Sequence, residues 1–302
     1  MRIVALSTMW AKDRFVHMAG FASRARELGF THIEANHWIS AQMLAELIET
    51  LVPVSSIHSP CPAASSSAGI PVSKLSLSSL DESERMEAVT FAGRTIDLAS
   101  DLRARAVVLH MGEVPVDLSL EDRLRRSYSR GLGHDAGQKR IREELVRQRT
   151  SRAPRYLDAA RKSLQELAEY GQSKGIMLGI ETRFHYHEIP GMDEAAELLE
   201  AVPEGAAGYW HDVGHAEVQE RLGFSTHAEW FSRFKHRMIG IHLHDVLGIV
   251  DHHVPGKGDM NWEMIARDLP AGAVRVCEIG EWNDEQRLEG VVDFLKRAGL
   301  VS

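Results

Sequence analysis

Two spacings of apolar residues take turns along the chain. Short runs rich in β-branched and aromatic residues are RIVALS (2–7), THIEA (31–35), VSSIH (54–58), AVVLH (106–110), IMLGIE (176–181), AGYWHD (207–212), MIGIHLH (238–244) and VRVCEIG (274–280). Their length and composition predict eight strands. Between them, apolar positions recur at helical spacing in FVHMAGFASRARELG, SAQMLAELIETL, ERMEAVTFAGRTIDLASDL, YLDAARKSLQELAEYG, DEAAELLEAV, HAEWFSRF, NWEMIARDL and EGVVDFLKRAG. Gly29 and Gly171 are expected as helix C-caps, Ser40 as an N-cap and Pro53 as a stop.

Strands alternating with helices predict an α/β chain with a parallel sheet, either a closed (β/α)8 TIM barrel or an open doubly wound sheet. No Gly-x-Gly-x-x-Gly follows the first strand, which weakens the open, dinucleotide-binding alternative. The polar residues decide between them. Most strands end in an acid or a histidine: Glu34, His58, His110, Glu181, Asp212, His242 with His244, and Glu278. In a parallel barrel those ends share one rim, the face on which such enzymes carry their chemistry. A single barrel domain over 1–302 is expected, with a basic helical insertion at about 115–155.

Composition narrows the setting. The chain has 302 residues, 44% hydrophobic and 26% charged, enough for a large core. Its two cysteines, Cys61 and Cys277, show neither disulfide-framework nor metal-ligand spacing, so a reducing, cytoplasmic location is expected. No apolar run approaches the roughly 20 residues of a membrane helix. The net charge of -8 argues against a surface built for nucleic acid. Residues 123–155 run the other way, with eleven Lys/Arg against three Asp/Glu. A solvated helical insertion is favoured there, with a phosphate-binding arm as the alternative. The small-residue segment 59–80 follows the third strand and reads as a lid over the rim or as disorder. A homo-oligomer is compatible with the sequence, which does not fix the subunit number.

Ten of the 16 histidines fall at strand ends or in the loops just after them: His58, His110, His185, His187, His211, His215, His242, His244, His252 and His253. One such residue alone, His58 for example, reads as a hydrogen-bonded rim histidine. Glu181, Asp212, His242 and Glu278 together do not, because converging charged groups in a partly buried site repel one another and lose hydration. A divalent cation removes that conflict. Mixed carboxylate and imidazole ligands suit Mn, Zn, Fe or Co better than Ca, and one or more ions per chain are expected. In ETRFHYHEIP (181–190), strand alternation puts Glu181, Arg183, His185 and His187 on one side; the alternative is a loop packed by Phe184 and Tyr186. Arg183 is the candidate for a substrate carboxylate or phosphate, which its fork binds bidentately.

The segments IE at 180–181, DVGH at 212–215, IHLHD at 241–245, PGKGDMNW at 255–262 and EIG at 278–280 together resemble the xylose-isomerase-like TIM-barrel superfamily. That superfamily includes sugar-phosphate isomerases and epimerases, ketose 3-epimerases and endonuclease IV. The ketose-epimerase resemblance implies a metal held by Glu181, Asp212, His242 and Glu278. It also implies that Glu181 and Glu278 act as the acid/base pair and that His215 holds a substrate oxygen. The family's arginine three residues before Pro-Gly is absent, and His252 stands in its place. Glu34, Arg183, His185 and His252 join His215 as candidate contacts to a small carbohydrate-like substrate. The endonuclease IV resemblance instead implies a trinuclear zinc centre, adding His58, His110, His215, Asp251 and His253 as ligands. Its loop between His242 and Asp251 is longer than the one here. Metal-dependent isomerisation or epimerisation through an enediolate ranks first, phosphodiester hydrolysis second, and a non-catalytic sugar-binding barrel last.

Overall fold

The computed structural model describes residues 3–132 and 135–301. Arg2 of the first predicted strand and residues 133–134 of the predicted insertion lie outside the described residues. The barrel strands are β1 (Val4–Ser7), β2 (His32–Ala35), β3 (Val54–His58), β4 (Ala106–Leu109), β5 (Met177–Glu181), β6 (Ala207–Asp212) and β7 (Met238–Leu243). A hairpin of β8 (Asp245–Leu247) and β9 (Val250–His253) precedes the last barrel strand, β10 (Val274–Cys277). The barrel closes in the order β1-β10-β7-β6-β5-β4-β3-β2, each strand parallel to its neighbours. The chain is a (β/α)8 TIM barrel.

Side-chain alternation builds that barrel in layers. Ala5, Ala106, Val108, Trp210, Val274 and Val276 form a compact inner cluster. The indole of Trp210 reaches across to β5 and β7, where only glycine fits: a Cβ on Gly179 would lie 2.8 Å from the ring and one on Gly240 2.1 Å. Two residues further along the strands, on the same face, stand Glu181, Asp212, His242 and Glu278. The functional layer therefore rests on a packed apolar floor.

Around the strands lie helices α1 (Met18–Glu27), α2 (Ala41–Glu49), α3 (Glu82–Asp101), α4 (Leu118–Ser129), α5 (Ala136–Lys174), α6 (Met192–Glu200), α7 (Val213–Arg221), α8 (His227–Phe234), α9 (Trp262–Asp268), α10 (Glu285–Leu288) and α11 (Val291–Arg297), whose buried apolar residues share one core cluster with those of the strands. Gly29 takes the left-handed φ of +91° expected after α1, and the Ser40 hydroxyl accepts from the Met43 amide at the start of α2. Gly171 corrects the reading of α5. It is buried inside that helix, where a Cβ would lie 2.9 Å from the Ile176 carbonyl, and the left-handed C-cap is Gly175. Not foreseen as such were α7, α10, the β8–β9 hairpin, and the continuity of the basic segment with the helix that leads into β5. His244 and Glu278 lie just beyond β7 and β10 rather than inside them.

Part of the basic stretch is engaged by the protein itself. Arg125 pairs with Glu121, Arg147 with Glu144 and Arg149 with Glu194, while Arg142 and Arg152 donate to the Leu222 and Pro115 carbonyls. Segment 59–80 is ordered, which overturns the disorder alternative. It contains a bridge between Ser65 and Pro71 and a 3-10 turn at Val72–Lys74, and its Leu77 carbonyl accepts from the Ser163 hydroxyl at 2.7 Å. Both cysteines are free and buried. Among the described residues, no helix is long and apolar enough to cross a membrane.

Candidate metal centre and active site

Four side chains from four strands meet at the top of the barrel. One ligand atom from each of Glu181, Asp212, His242 and Glu278 lies within 4.8 Å of every other, and all four residues are buried. His242 Nδ1 is the hub, 2.7 Å from Glu181 Oε1, 3.2 Å from Glu278 Oε2 and 3.5 Å from Asp212 Oδ2. Its other nitrogen, Nε2, lies 3.1 Å from Glu34 Oε1, and Ser56 donates to Glu34 Oε2 at 2.7 Å. A carboxylate behind the histidine fixes which nitrogen faces the cluster, as is usual for metal-binding imidazoles.

This donor set fits a divalent cation. Burial opposes a proton on His242, yet Glu278, Glu34, Asp212 and Glu181 outweigh it and push its pKa well above the usual histidine range. In the metal-free chain, then, a protonated imidazole supplies the positive charge that the carboxylates require. A metal ion would have to displace that proton, so occupancy should rise with pH.

The DVGH segment positions one of these ligands. Asp212 ends β6 and caps α7, accepting from the His215 amide at 2.7 Å through Oδ1. His244 Nε2 approaches the same carboxylate at 2.9 and 3.1 Å. Gly214 makes room for that imidazole, because a Cβ there would lie 2.1 Å from His244 Cε1. His215 points its Nδ1 at the Thr182 carbonyl, 2.8 Å away, leaving Nε2 toward Asp251 Oδ2 at 3.7 Å. His211, by contrast, turns outward and pairs with Tyr209 and His227, so it takes no part in the rim.

The two glutamates sit in opposed environments. Burial favours protonated Glu181, but contacts with His110, His242 and His58 hold its pKa well below the usual carboxylate range. Burial raises the pKa of Glu278, against the pull of His242, His252 and His58. Asn36 Nδ2 donates to Glu278 Oε1 at 3.0 Å. Paired carboxyl groups pushed apart in this way are suited to accept and donate a proton.

A cavity of about 310 Å³ opens above the cluster. Its lining includes Glu181, Glu278, His58, His110, His215 and His252, with Arg183 and His185 at the β5 side. The enclosed Glu34 is not among the lining residues and corrects its assignment as a substrate contact: it orients His242 instead. His58 and His110 gather on Glu181, and His215, Asp251 and His252 form a further group. His253 stays outside that group, which corrects the pairing of Asp251 with His253. The left-handed φ of +55° at His252 breaks the strand alternation that pairing assumed. Arg183 is already engaged by Glu181 and Glu188, so its two terminal nitrogens are not held free for a substrate anion. His185 and His187 turn toward Glu121 of α4. A smaller cavity of about 210 Å³ adjoins the first, sharing His37 and His110, with segment 59–80 supplying much of its wall.

Asn36 and Glu121 are site neighbours that the sequence did not single out. Asn36 had a signal, standing two residues beyond Glu34 on the same rim. Glu188 stands with Arg183, His185 and His187 in ETRFHYHEIP and lines the cavity with Arg183 and His185. Its contribution is testable: burial opposes ionisation, but Arg183 and the His185 amide hold its pKa at about 2, against an ordinary 4.5. A lowered carboxylate pKa stabilises the fold fully above about 4.5 and loses that contribution as pH falls through about 2. The shift corresponds to roughly 3 kcal/mol at most. In E188Q, urea unfolding should therefore vary less between pH 4.5 and 2 than in the wild type; parallel profiles would contradict this.

Residues 22–298 match the family model described as a xylose isomerase-like TIM barrel. An uncharacterised protein of Methanocaldococcus jannaschii is 22% identical over 211 residues, 69% of this chain and 68% of its own. Among solved structures, L-ribulose 3-epimerase superposes with a TM-score of 0.69 at 13% identity, over 99% of this chain and 95% of its own. A D-tagatose 3-epimerase-like protein gives 0.67 at 19%, over 99% and 97%. The 3-keto-D-glucoside 4-epimerase of E. coli gives 0.65 at 12%, over 98% and 100%. At such identities the structural likeness establishes the fold.

Proposed function

Since the chain belongs to the xylose isomerase-like TIM-barrel family, we propose that it is a divalent-metal-dependent isomerase or epimerase of a sugar, sugar phosphate or related hydroxy-ketone. The observation that carries this reading is the pair of buried carboxyl groups, Glu181 and Glu278, with opposed pKa shifts around one imidazole beneath the cavity. The names of the superposed epimerases support the substrate class.

Glu181, Asp212, His242 and Glu278 would hold the metal, with Mn, Zn, Co and Fe the suitable ions. When bound, it supplies positive charge that lowers the cost of an enediolate. Glu181, ionised, is the base for a carbon-bound proton; Glu278 returns a proton to the carbon skeleton. His215, with Nδ1 committed to the Thr182 carbonyl, presents Nε2 as an acceptor for a substrate hydroxyl. His252 Nδ1 is likewise occupied by the Glu278 carbonyl at 3.0 Å, so His252 both orients that loop and borders the substrate.

The test is a screen of ketoses and sugar phosphates with chelator-treated protein reloaded with each of the four metals. Stereochemical inversion or isomerisation should appear on reloading and vanish with chelator. Full activity in chelator, or no product from any substrate with any metal, would contradict the proposal.

A second reading is metal-assisted phosphodiester hydrolysis. The observation favouring it is the surplus of ligand groups, His58 and His110 on Glu181 and the His215, Asp251 and His252 group, flanking the central four. Such a layout suits several ions. The net charge of -8 weighs against a nucleic-acid substrate.

A further inference from the structure

A separate cluster lies where the basic insertion meets the β5–α6 loop. Glu121 is buried in the first turn of α4, although most charged residues of that helix are exposed or basic. Its Oε1 accepts from Arg125 Nε at 3.0 Å and Nη2 at 2.8 Å, and lies 2.8 Å from His185 Nδ1. Its Oε2 accepts from the Tyr186 amide at 3.2 Å and lies 3.7 Å from His187 Nδ1. One ligand atom from each of Glu121, His185 and His187 lies within 4.8 Å of the other two. None of the three belongs to the central group.

The second observation concerns His187 alone. Its side chain is only 10% exposed, yet Nδ1 is buried without a hydrogen-bond partner. An orphaned buried nitrogen is costly unless something fills its lone pair or takes its proton. The other nitrogen, Nε2, faces Glu113 Oε2 at 3.6 Å. A carboxylate behind one nitrogen and an open second nitrogen in front is the arrangement that metal-binding histidines adopt.

We infer that Glu121, His185 and His187 form a second metal site, specific for a zinc-class divalent cation, at the margin of the substrate cavity. Zinc bonds of about 2.0–2.2 Å allow ligand atoms up to roughly 4 Å apart to share one ion. The 3.7 Å spacing between Glu121 Oε2 and His187 Nδ1 lies inside that limit, and His185 offers a ligand atom within 4.8 Å of one on each of the other two residues. Two imidazoles and one carboxylate leave a fourth position for water or for an oxygen of a bound molecule. Because His185 lines the cavity, that position adjoins the substrate space. Arg125, stacked over Phe184 at 4.2 Å, keeps hold of Glu121 Oε1 and leaves Oε2 for the ion. The same ion would tie α4 to the β5–α6 loop.

This inference does not depend on the reaction, so its test reads metal content rather than turnover. Full-length wild type, H185A, H187A and D212A are stripped, reloaded with zinc chloride, desalted and assayed by elemental analysis, with circular dichroism to check folding. H185A and H187A should each hold one zinc fewer per chain than the wild type. D212A should lose zinc from the central group while a further H185A substitution removes one more. His185 is 44% exposed, so H185A tests the site even if H187A does not fold. Equal zinc content in wild type and H185A, both folded, would overturn the assignment.

Discussion

Replacing Glu278 by glutamine is expected to lower turnover by about 10²- to 10⁴-fold, the contribution attributed to general acid/base groups. The substitution keeps the side chain's size and an oxygen beside His242, whose Nδ1 lies 3.2 Å from Glu278 Oε2. Asn36 can still meet that side chain, because it donates to Oε1 and glutamine retains an acceptor. What disappears is the capacity to bind and release a proton. Glu278 is the carboxyl group whose burial favours the protonated form, whereas Glu181 is held ionised by three histidines. Metal content should therefore remain close to that of the wild type while catalysis collapses. A variant that loses both together would make Glu278 primarily a ligand, and one that keeps full turnover would remove it from the chemistry.

Gly214→Ala should damage the centre without touching any of its four ligands. On helix propensity alone, alanine in α7 would stabilise the chain by about 1 kcal/mol. The space decides otherwise, since the new Cβ would lie 2.1 Å from His244 Cε1 and 3.1 Å from Asp251 Cβ. His244 is fully buried and cannot swing into solvent. Overpacking of this kind costs about 1–3 kcal/mol. It also displaces the imidazole that holds Asp212, and loss of such a supporting partner lowers metal affinity by about 10–100-fold. The checks are thermal unfolding of the metal-free protein and a metal titration. A stabilised G214A with unchanged affinity would show that His244 does not position Asp212.

Much of this arrangement was legible in the sequence because it follows from strand periodicity. Glu181, Asp212, His242 and Glu278 all occupy strand-end positions, and a closed parallel barrel has only one rim on which to collect them. The alternation of inward and outward residues also explains Trp210 and its two facing glycines. Alternation misled where the backbone departs from extended geometry. His252, with its left-handed φ, replaces His253 beside Asp251. His185 and His187 leave the side of Glu181 because the loop after β5 curls toward α4. Glu121 was hidden for a different reason: its role depends on a long-range contact between the insertion and that loop, and local composition there spoke only of positive charge. Glu34 was placed on the right rim but given the wrong task, since nothing in the linear sequence says which nitrogen of His242 it faces.

In the proposed reaction a proton leaves carbon and is returned by this chain's own carboxyl groups. Its most direct measurement is incubation of the metal-loaded wild type in D2O with ketoses and sugar phosphates, read by NMR and mass spectrometry, beside an abasic-site DNA substrate. Deuterium is expected in a carbon-bound position of at least one isomerised or epimerised sugar, with that converted product lost in E278Q and the DNA intact. Cleavage of the DNA with no sugar exchange would contradict the proposal.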